Sequence, residues 1–485
     1  MCGIIGIVGS KDLAKEMYRG LLHLQHRGQD AAGILSYDKH HPEHVSGVNR
    51  IKQLGLVKNL LPELSEIGGE IGIGQVRYPT IGEGKLQDAQ PLYITSPNGI
   101  LGIAHNGNLV NYLSLRKELE REGTEAQTSS DVEIILNIMA KKYSEHNCLL
   151  DNIVDSIQEV YQRVNGAYSV LCFNKKLGGL IAFRDPKGIK PLLWGKRTID
   201  EKVSYGFASE DEALYALKFR DVQPLEPGVI AIVDNHRELH FRKLRQEVHA
   251  HCAFEWVYFA GTEARLENVG VYGARKRLGE ALGYQLRDRN INADAIVPVP
   301  DTARTAAQSL AQVLGIPFEE GLIKNRYIGR TFIMPNQRDR ETAVGIKLKP
   351  VREVLEGKDI IIVDDSIVRG TTSRKIIRLV KEAGAKKVYF ASTYPPIAHP
   401  CYYGIDFQMG KELIANGKSV EKVRATIEAD GLFFNTSSDL KKAIGLDDLC
   451  MACATGEYPA DISEAKRLGE LREILNERTR GSQLI

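Results

Sequence analysis

The sequence predicts an α/β protein in two units, a layered first half and a second half built on a mostly parallel sheet. Three features carry this. Residues 3–8, 69–76, 100–104, 169–173 and 228–233 are short apolar runs bounded by glycine, the signature of strands with turn punctuation. Helical periodicity at 109–121, 130–142 and 150–164 lies between them; strands, central helices, then strands again is the order of a layered unit rather than a doubly wound one. Beyond residue 233 strand and helix alternate, which implies βαβ units.

The later elements follow in order. Residues 234–251 are polar and rich in bases and histidines, suited to a linker or a surface hairpin. A helix is expected over 271–287, a strand over 295–300 and a helix over 302–314. A second strand, 360–363, leads to a helix at 372–383, and a third strand covers 388–393. The charged amphipathic stretch 463–479 reads as a solvated helix. The domain boundary is expected between 248 and 249, dividing the chain into 1–248 and 249–485.

A chain of 485 residues is long enough for two or three domains and buries a core without covalent staples. Lys plus Arg is 64 and Asp plus Glu is 62, a net charge of +2. No surplus of cations exists to displace counterions, so a nucleic-acid partner is not expected. No run approaches the ~20 apolar residues of a membrane span. The apolar start lacks a basic flank, so no membrane association and a cytoplasmic location are expected. Seven cysteines are too few and odd in number for a disulfide framework; free thiols, a catalytic thiolate or a metal site remain.

Cys2 follows Met1 directly. Removal of Met1 would give Cys2 both a thiol and a free α-amine. An amine with a reference pKa of about 7.7–8.0 can serve as the base for its own nucleophile. The bland alternative is a small buried residue at the start of a strand. The segments that follow decide the matter. Cys2-Gly-Ile-Ile-Gly is succeeded by Gln25-His-Arg-Gly-Gln-Asp, Val76-Arg-Tyr-Pro-Thr, His105-Asn-Gly-Asn and Thr128-Ser-Ser-Asp. In this order they resemble the glutaminase domain of the N-terminal-nucleophile amidotransferases, which implies an αββα sandwich. Arg77 is the residue type for a bidentate grip on the glutamine α-carboxylate, and Asp131 suits the α-ammonium. The resemblance implies that Asn106 and the Gly107 N–H form the oxyanion hole. Plainer readings exist for both places: Ser130-x-x-Glu133 as a capping box, and Asn106-Gly107 as a hairpin turn.

In the second half, Asp359-Ile-Ile-Ile-Val-Asp-Asp-Ser-Ile-Val-Arg-Gly-Thr-Thr passes from strand to loop to helix. Backbone N–H groups at such a junction bind anions, and Thr371 and Thr372 add hydroxyl donors. Asp364 and Asp365 can accept from sugar hydroxyls or act on a metal through water. The segment resembles the phosphoribosyl pyrophosphate loop of the type I phosphoribosyltransferases, which extends the site to Ser366, Arg369 and Gly370. Pro298-Val-Pro-Asp-Thr302 resembles that family's pyrophosphate-side loop, with Thr302 near a Mg²⁺ shared with Asp364 and Asp365. Lys324-Asn-Arg-Tyr-Ile-Gly-Arg-Thr-Phe resembles its mobile loop, with Lys324, Arg326 and Arg330 as candidate phosphate neutralisers. No Walker A motif is present; Gly417-Lys418-Ser419 has Glu412 where the first glycine should stand.

Glutaminase first and phosphoribosyltransferase second resembles the amidophosphoribosyltransferase family over nearly the whole chain. The resemblance implies conversion of glutamine, phosphoribosyl pyrophosphate and water to phosphoribosylamine, glutamate and pyrophosphate, the committed step of purine synthesis. It also implies a dry internal path for ammonia, a glutaminase that is weak until phosphoribosyl pyrophosphate binds, purine nucleotides as inhibitors, and a homotetramer.

Among the other cysteines, Cys148 and Cys172 read as core residues. Cys252, Cys401, Cys450 and Cys453 include a chelating Cys-x-x-Cys pair; spacing alone leaves zinc, an iron–sulfur cluster, a redox pair or no site open. One branch of the family carries a [4Fe–4S] cluster at these four positions, which the resemblance implies here. Two departures stand out. Only Met1 precedes Cys2, where cluster-bearing relatives often carry a longer propeptide. Ala260-Gly-Thr-Glu-Ala replaces the more usual Ala-Arg-Pro-Asp-Ser. The rival readings are an N-terminal-cysteine amidotransferase with another acceptor, a regulator that binds phosphoribosyl pyrophosphate and nucleotides, and a transferase fed by free ammonia. The phosphate loop argues against the first, and Cys2, Arg77, Asn106 and Asp131 together argue against the others.

Overall fold

The structure, a computed structural model, describes residues 2–38, 47–78, 85–96, 99–142, 148–325, 348–407 and 409–470. The first half forms two stacked antiparallel sheets. Their strands in chain order are β1 (Gly3–Val8), β2 (Ala31–Tyr37), β3 (Val48–Leu54), β4 (Ile71–Arg77), β5 (Leu92–Ser96), β6 (Gly99–Leu109) and β7 (Gly166–Asn174). They continue with β8 (Gly179–Arg184), β9 (Leu193–Ile199), β10 (Lys202–Ala208), β11 (Arg220–Pro224), β12 (Val229–Val233) and β13 (Leu239–Lys243). One sheet runs β11-β9-β10-β1-β4-β2-β3 and the other β13-β12-β8-β7-β6-β5.

Period-two alternation explains the stacking. In β1, Ile4 and Val8 meet Leu171, Phe173 and Leu180 of the second sheet, while Ile5 and Ile7 turn outward under α1 (Leu13–His23). Each such fully buried side chain contributes about 1.5–3 kcal/mol. The outer face of the second sheet is covered by α2 (Tyr112–Arg121), α3 (Val132–Lys142) and α4 (Leu149–Arg163). The result is the αββα sandwich implied by the resemblance. The 234–251 stretch supplies a hairpin, since β13 pairs with β12.

One of the plainer readings fails here. Asn106-Gly107 is not a hairpin turn. It lies inside β6, which runs on to Leu109, five residues past the expected end of that strand, with Asn106 opposite Ser169 and Gly107 opposite Tyr168 of β7. The helix expected from 109 therefore starts at Tyr112. The polar run His105–Asn108 looks unlike a buried strand, but its neighbour β7 satisfies the backbone and the side chains belong to a site.

The second half centres on a four-stranded parallel sheet: β17 (Ala295–Pro298), β20 (Asp359–Asp364), β21 (Lys387–Ser392) and β22 (Gly431–Phe434), in that spatial order. The short pairs between are β14 (His251–Cys252) with β23 (Leu449–Cys450), β15 (Arg265–Leu266) with β16 (Val269–Gly270), and β18 (Leu322–Lys324) with β19 (Leu348–Pro350). Ile361 and Val363 face α6 (Val271–Asp288) and α7 (Arg304–Leu314); Ile360 and Ile362 face the helix Thr371–Glu382 on the other side. Residues 463–470 are helical; the rest of the expected helix 463–479 lies outside the described residues. One apolar cluster runs from Ile5 and Leu21 through Phe254 and Trp256 to Tyr394 and Tyr403, so the two halves share a core. Among the described residues no helix is long and apolar enough to cross a membrane.

Candidate active sites and thiol cluster

Cys2 opens β1, buried at 9% exposure. Its sulfur lies 3.5 Å from the Tyr78 N–H and 3.6 Å from the Tyr78 carbonyl, just past the end of β4. Its nitrogen, which becomes the α-amine once Met1 is removed, donates to Asn106 Oδ1 at 3.2 Å. That bond orients the Asn106 amide and leaves Nδ2, a buried donor, without a partner among the described residues. An unpaired buried donor costs about 1–3 kcal/mol. It is spent usefully only if an oxyanion arrives beside Cys2. Gly107 has no room for a side chain, because a Cβ would fall 1.9 Å from the Ala167 carbonyl oxygen.

Arg77 ends β4 beside Cys2, since Val76 pairs with Gly3. Asp131 directly precedes α3 and accepts from the Leu109 N–H at 3.0 Å. Burial pushes its carboxyl up, but His105, the Leu109 N–H and Arg77 outweigh it and hold it below the ordinary value. All five residues expected around glutamine therefore meet at one place. Glu133 reaches back to the N–H groups of Gln127 and Thr128, not to Ser130, so it fixes the loop that presents Asp131. Two buried residues given no role by the sequence complete the wall. His105 Nε2 faces Asp131 at 3.6 Å, and Gln90 grips His105 through its N–H at 2.7 Å and its ring at 3.1 Å.

The second site lies at the carboxyl end of β20, where open parallel sheets bind ligands. Asp364 and Asp365 are both buried, and burial together with mutual repulsion pushes Asp364 well up; burial also raises Asp365, against the pull of Ser366 and Arg275. Two carboxyls crowded this way fit a divalent cation, the role expected of them. The Val299 N–H bonds the Val363 carbonyl at 2.8 Å, which sets the loop bearing Thr302 beside Asp364. Gly370 turns the chain with φ +73°, and the exposed Thr371 and Thr372 begin the following helix. Ser366 donates to Asp365 at 2.7 Å, and Arg369 pairs with Glu412 at 2.9 Å. Lys324 bonds Asp301 at 2.6 Å; Arg326 and Arg330 lie outside the described residues.

The two sites adjoin. The Tyr78 hydroxyl donates to Asp406 at 3.4 Å, and the Asp406 carbonyl accepts from Arg369 at 3.5 Å. Asn108 donates to the Tyr402 carbonyl at 2.9 Å. Gly404, at φ +100°, leaves its Cβ position only 3.2 Å from the Gly107 oxygen, so segment 402–406 lies directly over the oxyanion strand.

Cys252, Cys401, Cys450 and Cys453 converge in the shared core. All four are buried and free, and Cys252 pairs through its backbone with Cys450. Cys401 acts electrostatically on the other three, Cys252 on Cys450 and Cys453, and Cys450 on Cys453. Burial raises the Cys252 thiol to about 11 and the Cys450 and Cys453 thiols further. Backbone N–H groups two residues on point at three of the sulfurs: Phe254 at Cys252, Ala452 at Cys450, and Tyr403 at Cys401, the last at 3.4 Å. The buried Lys190 acts on Cys252 and Cys450. Thiol ligands, N–H donors and a buried cation fit an anionic thiolate cluster. Cys172 is a core residue, as expected. Cys148 is exposed at the start of α4, contrary to its reading as core.

Comparison with known proteins agrees with this arrangement. Residues 80–216 match a glutamine amidotransferase domain and residues 268–406 a phosphoribosyl transferase domain. The amidophosphoribosyltransferase of Methanocaldococcus jannaschii is 42% identical over 97% of this chain and 100% of its own length. That of Bacillus subtilis is 40% identical over 98% of this chain and 97% of its own. The structure of the B. subtilis glutamine phosphoribosylpyrophosphate amidotransferase complexed with ADP and GMP superposes with a TM-score of 0.84 at 39% identity, covering 95% of this chain and 98% of that one. A structure described as the allosteric regulatory enzyme of purine biosynthesis gives 0.85 at 40% identity, covering 95% and 97%.

Proposed function

The chain belongs to the amidophosphoribosyltransferase family, and from that premise we propose how its own residues carry out glutamine-dependent amidotransfer to phosphoribosyl pyrophosphate in purine biosynthesis. Cys2 attacks the side-chain amide of glutamine, its α-amine taking the thiol proton and passing it to the departing ammonia. Asn106 Nδ2 and the Gly107 N–H stabilise the oxyanion, while Arg77 holds the α-carboxylate and Asp131 the α-ammonium. Water hydrolyses the thioester to glutamate. Ammonia passes under segment 402–406 and attacks C1 of phosphoribosyl pyrophosphate as pyrophosphate leaves.

The sugar and 5-phosphate are received by Asp364, Asp365, Ser366, Arg369, Gly370, Thr371 and Thr372. Mg²⁺, held by Asp364, Asp365 and Thr302, supplies neutralising charge for the pyrophosphate. Cys252, Cys401, Cys450 and Cys453 hold a [4Fe–4S] cluster, which supplies a structural cross-link between the hinge after residue 248 and the C-terminal region. Purine nucleotides act as inhibitors, as the complex of the B. subtilis relative with ADP and GMP supports. A homotetramer, a cytoplasmic location and domains at 1–248 and 249–485 complete the reading.

The observation that carries it is the short bridge from thiol to phosphate loop, Cys2 to Tyr78 to Asp406 to Arg369. The test uses anaerobically purified protein with glutamine and Mg²⁺, with and without phosphoribosyl pyrophosphate. Glutamate and pyrophosphate are expected in equal amounts. Glutamate without pyrophosphate would mean another acceptor. The same sample is expected to carry about four iron atoms per chain with a broad visible absorbance; Cys450→Ser is expected to lose both iron and solubility, and full iron in that variant would remove Cys450 from the ligands.

A further inference from the structure

The histidine-rich stretch 234–251 is only partly absorbed by the hairpin of β12 and β13. Its last two histidines, His249 and His251, lie beyond that hairpin, at the junction of the two halves. Two residues apart at the start of β14, they place their rings on one side of the chain, with centroids 5.5 Å apart. Asp448 reaches the same place from the C-terminal region. The His251 N–H donates to the Asp448 carbonyl at 2.8 Å, and from there β14 runs parallel to β23, with Cys252 opposite Cys450. His249, His251 and Asp448 each offer one ligand atom, and these atoms lie within 4.8 Å of one another.

Both rings converge on one carboxylate oxygen. Asp448 Oδ2 stands 3.6 Å from His249 Nδ1 and 3.7 Å from His251 Nε2. Both gaps are too long for hydrogen bonds. Among the described residues neither the Asp448 carboxylate nor the His249 ring makes one. Donor atoms held by a tetrahedral ion at about 2.0–2.1 Å stand roughly 3.3–3.4 Å apart, so both pairs are within a few tenths of an ångström of ligand spacing. The buried His251 is already oriented for this. Its Nδ1 bonds the Gly188 carbonyl at 2.8 Å, with Glu267 behind it at 3.7 Å. A carbonyl can only accept, so Nδ1 carries the proton of the neutral ring and Nε2, facing Asp448, carries the lone pair. An imidazole whose far nitrogen is fixed in this way is the usual form of a metal ligand. The neighbouring Arg184 is balanced by Glu267 at 2.8 Å.

We propose that His249, His251 and Asp448 form a further metal site, for a divalent ion of the zinc class, with water in the remaining position. Two imidazoles and one carboxylate suit Zn²⁺ rather than Mg²⁺ or Ca²⁺, which take all-oxygen shells. His249 and Asp448 are each about one-third exposed, which leaves the ion an entry path and room for its water. Consecutive residues of a strand face opposite sides, so His251 and Cys252 serve different sites. An ion here ties residue 249, ahead of Cys252, to residue 448, ahead of Cys450. It holds the hinge after residue 248 and the C-terminal region in register without using the four thiols.

The test uses full-length, anaerobically purified protein freed of loosely held metal on a chelating resin, with Zn²⁺ as the probe. Equilibrium dialysis is expected to show one tight zinc per chain, with a Kd below about 10 µM. Zinc-edge X-ray absorption is expected to show nitrogen and oxygen at about 2.0–2.1 Å and no sulfur at about 2.3 Å. His249→Ala and Asp448→Asn are each expected to weaken binding at least about tenfold with iron content unchanged; if one is insoluble, the other carries the test. Saturating zinc is expected to raise the melting transition of the parent by about 2–4 °C and that of neither variant. Sulfur in the zinc shell would put the ion on the cysteines and overturn the site. So would full affinity in either soluble variant, or no binding by the parent. Zinc held by nitrogen and oxygen without a shift in melting would overturn the tie between the two segments. None of these outcomes depends on turnover or on the acceptor, so this site and the proposed function fail separately.

Discussion

Replacing Cys2 by alanine is expected to lower glutamine-dependent phosphoribosylamine formation by roughly four orders of magnitude or more, because no other group can form the acyl intermediate. Ammonia-supported formation in the same variant is expected to stay within about twofold of the parent, since the thiol takes no part in the attack of ammonia on the sugar. The contrast is the informative part. Among the described residues the sulfur's hydrogen-bond contacts are with the backbone of Tyr78, so its loss removes a nucleophile and no side-chain partner. The amine remains, still bonded to Asn106, and the roles proposed for Arg77 and Asp131 leave the grip on glutamine intact. Binding without turnover is therefore expected, and isothermal titration of glutamine into the variant in the presence of phosphoribosyl pyrophosphate checks it. Equal loss of both activities would mean that Cys2 supports the fold rather than the chemistry.

The residues that announce themselves in the sequence are those whose chemistry is local. Asp364 and Asp365 follow an apolar strand and precede Gly370 and two threonines, so strand, acid pair and helix start are all written within fourteen residues, 359–372. Cys2 is legible for the same reason: the base proposed for it is its own amine. The apolar run bounded by glycine made β1 a strand on sight, although its two-sided burial, Ile4 and Val8 on one face and Ile5 and Ile7 on the other, appears only once the second sheet is stacked on it. Strand β6 was misread past Ala104 because a turn and a buried polar strand have the same local composition; what separates them is β7, some sixty residues on. His105 and Gln90 went without roles since neither acts alone: one is set by the other, and both matter only through Asp131. His249 and Asp448 are the extreme case. Nothing in either segment names the other, and their meeting follows from docking the C-terminal region against the hinge.

Asp365→Asn is the second large effect, and it is expected to act in opposite directions on activity and stability. Both the glutamine-dependent and the ammonia-supported rates are expected to fall by about 10²–10³-fold, as the site loses half of the charge that receives the metal–pyrophosphate substrate. That distinguishes it from Cys2→Ala, which spares the ammonia reaction. Without substrate or Mg²⁺, however, the two carboxyls stand buried against each other, and burial with mutual repulsion raises Asp364 well above its ordinary value. A raised carboxyl is held more tightly as the acid in the folded state. Its contribution to stability is thus present at low pH and is lost as pH rises through the folded value, so the pair weighs against the fold at neutral pH. An asparagine at 365 keeps an acceptor for the Ser366 hydroxyl, which now bonds Asp365 at 2.7 Å, and offers Asp364 a donor in place of a second charge. The melting transition of the metal-free variant is expected about 1–3 °C above the parent at neutral pH, with the gain shrinking as the pH is lowered. Calorimetry at two pH values checks the sign. A variant that is both inactive and less stable at neutral pH would mean that Asp365 is a structural acceptor first, and that the charge crowding at the end of β20 is relieved by the protein itself rather than by its substrate.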